Sequence, residues 1–92
     1  MSLFLVCYDI EDDAIRARVA RCLLEYGERV QESVFEVTLA TEADLSRLRQ
    51  ALLETMKDEQ NLRLYRLCAD CRAASTTLAG EAIATSPGVV IC

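Results

Sequence analysis

The sequence predicts an α+β fold on the ferredoxin-like β-α-β-β-α-β plan. Three observations carry that reading. Leu3 to Ile10 is almost entirely apolar and of strand length, which suits a central strand covered on at least one face. Two later segments place apolar residues at helical spacing, and each is followed by a strand-like stretch. The whole chain is 92 residues, room for one domain, so both helices are expected on one face of a single sheet.

The elements follow in order. After the first strand, which ends in Tyr8-Asp9, Asp12 or Asp13 offers an N-cap, and Glu11 adds negative charge where a helix start favours it. Ile15, Val19, Cys22, Leu23 and Tyr26 form one apolar stripe, predicting a helix over 13–26 with Gly27 as a left-handed stop. Residues 29–39 read as one strand in which valines, Phe35 and Thr38 alternate with charges. The ferredoxin-like plan needs two strands there, so the stretch has to bend near Glu32-Ser33, although no Gly or Pro marks a turn. Thr41 and Asp44 resemble a capping box, and Leu45, Leu48, Leu52 and Met56 make the second helical stripe. Lys57 to Asn61 is a polar break, Leu62 to Leu67 a strand, Cys68 to Ala73 a loop, and Ser75 to Ala79 a weak strand ended by Gly80. Residues 1–80 are thus expected to form the domain. Residues 81–92 are expected to be a linker, marked by Pro87-Gly88, and a terminal strand, Val89 to Cys92. Four apolar residues are too few to stand alone, so that strand should add to a sheet edge, either of its own chain or of a twin.

A domain of this size buries only ~60% of the surface its unfolded chain exposes and so gains from a partner subunit. No apolar run reaches the ~20 residues of a membrane span, and the first residues lack a basic leader region, so a cytoplasmic protein without a membrane anchor is expected. The five cysteines argue against a secreted disulfide framework. Cys68-Ala-Asp-Cys71 is a C-x-x-C pair. Zinc takes four ligands and there is no histidine to complete the set, although two such pairs in a dimer could. A redox pair of this spacing belongs between a strand and a helix start, and the segment reads as a loop, so free thiols are expected.

The missing histidine also removes Ser-His and Cys-His nucleophilic catalysis, and leaves Ser33 without an activating base. The formal charge is −5, but nine of the ten cations are arginine, whose planar fork matches phosphate oxygens. A net-acidic chain can bind a polyanion when its arginines share one surface. Asp9, at the carboxyl end of the first strand, could hold Mg²⁺, with a second copy supplied across a two-fold axis; it could equally cap a turn. Arg18, Arg21 and Glu25 share a polar helix face with Arg16 on the opposite flank, and Arg29 opens the next strand. Such a face serves either phosphate contacts or an Arg21–Glu25 pair in solvent. Phe35 reads most simply as core.

Together these residues resemble a family. The strand ending Tyr8-Asp9-Ile10, the acidic 11–13, the helix with Arg16 and Arg18, and Tyr26-Gly27-Glu28-Arg29-Val30-Gln31-Glu32-Ser33-Val34-Phe35-Glu36 resemble the CRISPR-associated adaptation protein Cas-two. So do Leu64 to Cys71 and Leu78-Ala79-Gly80. The resemblance implies a ferredoxin-like homodimer that exchanges a late strand and brings two Asp9 carboxylates together. It implies a scaffold in spacer acquisition that bridges the Cas-one integrase and supports double-stranded DNA. It also implies, for some members, a metal-dependent endonuclease acting on RNA or double-stranded DNA. On that reading Asp9, Tyr8 and Ser33 form the catalytic set, Asp9 holds Mg²⁺ (or Mn²⁺), and Arg16, Arg18, Arg29 and Phe35 contact nucleic acid. The alternative is a VapD-like toxin ribonuclease or a non-catalytic ferredoxin-like interaction module.

Overall fold

The computed structural model describes residues 1–56 and 61–83. Strand β1 (Ser2–Tyr8) leads to helix α1 (Asp13–Leu24), then strands β2 (Gly27–Gln31) and β3 (Val34–Leu39), helix α2 (Glu42–Thr55), strand β4 (Leu62–Leu67) and a short helix α3 (Ala69–Ala74). The strands form one sheet in the order β2-β3-β1-β4, with every neighbouring pair antiparallel. This is the ferredoxin-like arrangement. It makes β1 a central strand, as its apolar run requires.

The helices begin where the side chains can satisfy their first amides. Asp12 accepts from the Ile15 N–H at 3.0 Å, and Thr41 accepts from the Asp44 N–H at 3.1 Å. Both helices pack on the same face of the sheet. Phe4, Val6 and Tyr8 of β1 and Phe35, Val37 and Leu39 of β3 meet Val19, Ala20 and Leu23 of α1 and Leu48 and Leu52 of α2. Each large apolar side chain buried there contributes about 1.5–3 kcal/mol relative to exposure. Phe4, Val6 and Tyr8 of β1 enter this core, while Leu5 and Cys7 on the opposite face are half-buried and Leu3 is buried there too.

Four local expectations are corrected. The bend between the helices is a two-residue turn at Glu32-Ser33, so 29–39 is not one strand. A register shift between Arg29 and Gln31 bends β2 into the turn without glycine or proline. Gly27 is not a left-handed stop: it opens β2 in pairing with Val37, and a Cβ there would collide with the Glu36 carbonyl oxygen and lie 2.7 Å from the Val37 Cα. Its small size, not its φ, fits it to the site, and α1 ends earlier than expected, at Leu24. Residues 69–74 are helix rather than loop, because the Cys68 sulfur caps the turn. Thr76 makes an isolated bridge to Ala82 around a turn in which Gly80 has φ 90°, in place of a strand over 75–79.

Of the expected linker and terminal strand, residues 84–92 lie outside the described residues, as do 57–60 of the polar break. Among the described residues no helix is long and apolar enough to cross a membrane.

Candidate functional site

The backbone brings three segments to the carboxyl end of β1. Tyr8 donates its N–H to the Ser33 carbonyl at 3.1 Å, and Asp9 donates its N–H to the Asn61 carbonyl at 2.9 Å. The β2–β3 turn and the start of β4 therefore flank the residue pair singled out in the sequence. Asp9 is exposed and, among the described residues, makes no ion pair. Asp9 lines two open clefts, one with Cys7, Asn61 and Arg63 and the other with Glu11, Asp12 and Asn61.

Arg63 and Asn61 were not among the residues singled out from the sequence. The antiparallel pairing of β4 with β1 puts Arg63 opposite Cys7 and Leu62 opposite Tyr8. The ferredoxin-like plan itself carried the signal: a last strand antiparallel to the first must begin where the first ends. The Arg63 guanidinium donates to the Tyr65 hydroxyl at 3.2 Å, which raises its pKa further, so it is a fixed positive charge.

The remaining predicted residues divide by environment. Tyr8 is buried, and its hydroxyl has no hydrogen-bond partner within the described residues. Its ring stacks with Phe35, the centroids 6.1 Å apart. Phe35 is fully buried, so its ring offers no surface to nucleic acid, and the expected contact is corrected on that ground. Its link to the surface is Arg29, whose guanidinium lies 5.2 Å from the ring centroid on neighbouring β2. Arg29, Phe35 and Tyr8 thus make a continuous column from the sheet edge toward the end of β1. Ser33 sits in the turn beside it.

Arg16 is held rather than presented. Its guanidinium donates to the Ile10 carbonyl at 2.9 Å and the Glu11 carbonyl at 3.4 Å and pairs with Asp13. It clamps the connection between β1 and α1 that shapes the acidic side of the cleft. Arg18 and Arg21 are exposed on the outer face of α1, and no Arg21–Glu25 pair forms among the described residues.

On the other face of the sheet Leu3 is buried, and the surface opens toward Tyr65. Leu5 and Cys7 of β1, Val34 of β3 and Tyr65 of β4 point away from α1 and α2, with Tyr65 46% exposed.

The family model described as CRISPR associated protein Cas2 matches residues 1–74, from the first residue to the end of α3. The chain belongs to the Cas2 family. Cas2 relatives support the match at useful identity. A CRISPR-associated endoribonuclease Cas2 of Chloroflexus aurantiacus is 49% identical over 71 residues, covering 75% of each chain. A CRISPR-associated endonuclease Cas2 of Thermus thermophilus is 46% identical over 65 residues, covering 68% of this chain and 70% of the relative. The Cas2 fold is also matched by a chain of a partial Cas6-RT-Cas1–Cas2 complex, with a TM-score of 0.83 and 36% identity over 91% of this chain and 98% of that one. The residues that resemble the family in the sequence, 8–36 and 64–71, fall inside the Cas2 span, and 78–80 lie beyond it.

Proposed function

We propose that this chain is a cytoplasmic, homodimeric subunit of CRISPR spacer acquisition that handles nucleic-acid phosphates and bridges a Cas1 (Cas-one) integrase. The observation that carries the reading is the exposed Asp9 at the end of β1, held by the Asn61 carbonyl and accompanied by the fixed charge of Arg63. Similarity to a chain of a Cas1-containing complex supports the integrase partner. The apolar character of Leu5, Cys7, Val34 and Tyr65 on the partly open outer face of the sheet supports a second copy as the cover. Arg18 and Arg29, exposed on α1 and β2, supply phosphate contacts that position a duplex without reading its sequence.

Relatives named as endoribonuclease and endonuclease favour a second, catalytic reading of the same residues. A carboxylate is a hard oxygen donor of the kind Mg²⁺ takes along with water and phosphate oxygens. Among the described residues no group of three or more His, Cys, Asp or Glu can hold a metal, so one chain offers Asp9 as a half site and its twin's Asp9 is the other half. Bound there, Mg²⁺ supplies polarisation of a phosphodiester and an acidified water. The chain's own contribution is to fix Asp9 through the Asn61 hydrogen bond and to balance phosphate charge with Arg63. The Arg29–Phe35–Tyr8 column orders the neighbouring surface.

The test is capture of the Cas1 partner and of a protospacer-like duplex by the purified chain at low salt. Binding to both, falling steeply with added salt, is expected. Failure to bind either removes the scaffold reading. Loss of Mg²⁺-dependent cleavage in Asp9→Asn separates the catalytic reading from a contaminant.

A further inference from the structure

Cys68 and Cys71 have no part in the phosphate site, yet the fold gives them a defined geometry. β4 ends at Leu67 and α3 begins at Ala69, so the pair sits between a strand and a helix start. Both thiols are exposed. The Cys71 N–H donates to the Cys68 sulfur at 3.4 Å, and the Arg72 N–H donates to the Cys68 carbonyl at 2.9 Å, which fixes the turn carrying both. Cys7 and Cys22, by contrast, are half-buried on β1 and α1.

We infer that Cys68 and Cys71 form a redox site, a dithiol that exchanges with low-molecular-weight disulfides and closes into an intramolecular disulfide. Cys68 is the attacking thiol. Its sulfur accepts the Cys71 amide, which holds its pKa below the ordinary thiol value, while the nearness of Cys68 holds Cys71 above it. In the first step the Cys68 thiolate attacks one sulfur of the disulfide R–S–S–R. A Cys68–S–R bond forms, the R–S–S–R bond breaks, and one RS⁻ leaves to take up the proton Cys68 released. In the second step Cys71 loses its proton and attacks the Cys68 sulfur, expelling the second RS⁻, which is protonated in turn. Two electrons and two protons pass from the cysteine pair to the disulfide, yielding two RSH. Because Cys68 caps α3 and Cys71 lies in its first turn, closure needs no movement of the sheet.

The experiment equilibrates the full chain anaerobically in graded mixtures of reduced and oxidised glutathione, quenches with acid, alkylates, and maps peptides by mass. Cys68 and Cys71 should disappear together from the alkylatable pool, their peptide should lose two hydrogens, and excess reduced glutathione should restore both. Cys71→Ser should trap one glutathione on Cys68, and Cys68→Ser should leave Cys71 alkylatable. The inference is overturned if both thiols stay alkylatable at every ratio, if they oxidise to other cysteines or between chains, or if Cys71→Ser leaves Cys68 unmodified. The wild-type titration decides the matter even if a variant fails to fold.

Discussion

The Asp9 N–H donates to the Asn61 carbonyl at 2.9 Å, tying the residue just past β1 to the residue just before β4. That one bond fixes the backbone of Asp9 while leaving its carboxylate in solvent. The side chain can therefore be changed without disturbing the fold, and the consequences below separate structural from functional roles.

Arg16 and Arg18 should behave differently although they lie two residues apart. Arg16→Ala removes hydrogen bonds to the Ile10 and Glu11 carbonyls and the pairing with Asp13. Since the side chain is 37% exposed, solvent screens part of the effect, and a loss of about 1 kcal/mol is expected. Thermal denaturation should show it as a Tm lowered by roughly 4–8 °C. Arg18→Ala should leave Tm unchanged and weaken duplex binding with a shallower salt dependence. Equal Tm values for the two variants would contradict the assigned roles.

Tyr8→Phe tests the unpartnered hydroxyl. A buried hydroxyl without a hydrogen bond is a cost, so its removal should keep or raise stability, by up to about 1 kcal/mol. If Tyr8 takes part in cleavage, the same variant loses activity while its melting curve stays in place or moves up. A destabilised Tyr8→Phe protein would mean that the hydroxyl has a partner in solution.

How far the sequence reached can be judged at these positions. The apolar run of β1 and the stripe of α2 could be read directly, the first because a central strand is covered, the second because burial on one face imposes a period on the residues. Asp12 and Thr41 were legible as caps for the same local reason. The split of 29–39 into two strands at Glu32-Ser33 followed only from the needs of the ferredoxin-like plan, since the turn carries no glycine and its bulge is set by pairing across the sheet. Arg63 and Asn61 were missed because their closeness to Asp9 arises from strand register between segments about fifty residues apart, with nothing local to mark it. Phe35 was legible as core, because its strand alternation turns it toward the helices.

Leu5→Glu tests the outer face of the sheet. Leu5 pairs with Glu36 and Tyr65 on the side away from α1 and α2, so a charge there should be tolerated in a monomer and resisted in a dimer core. Sedimentation velocity should report a dimer for the wild type and a folded monomer for the variant. A Leu5→Glu dimer as tight as wild type would place the interface elsewhere.

Alkylation kinetics should distinguish the two thiols of α3 by pH. A lowered pKa keeps thiolate present at lower pH, so Cys68 should react with iodoacetamide at half its limiting rate at a pH below that of an ordinary thiol. Cys71, whose pKa is raised, should need a higher pH than an ordinary thiol. Coincident profiles would remove the distinction between attacking and resolving cysteine.

Counting bound Mn²⁺ by electron paramagnetic resonance, in wild type and Asp9→Asn, bears most directly on the paired-carboxylate site. One ion for every two chains in the wild type, and none at that site in a variant that remains dimeric with an unchanged melting curve, is the predicted result. One ion per chain, or binding that survives Asp9→Asn, would contradict it.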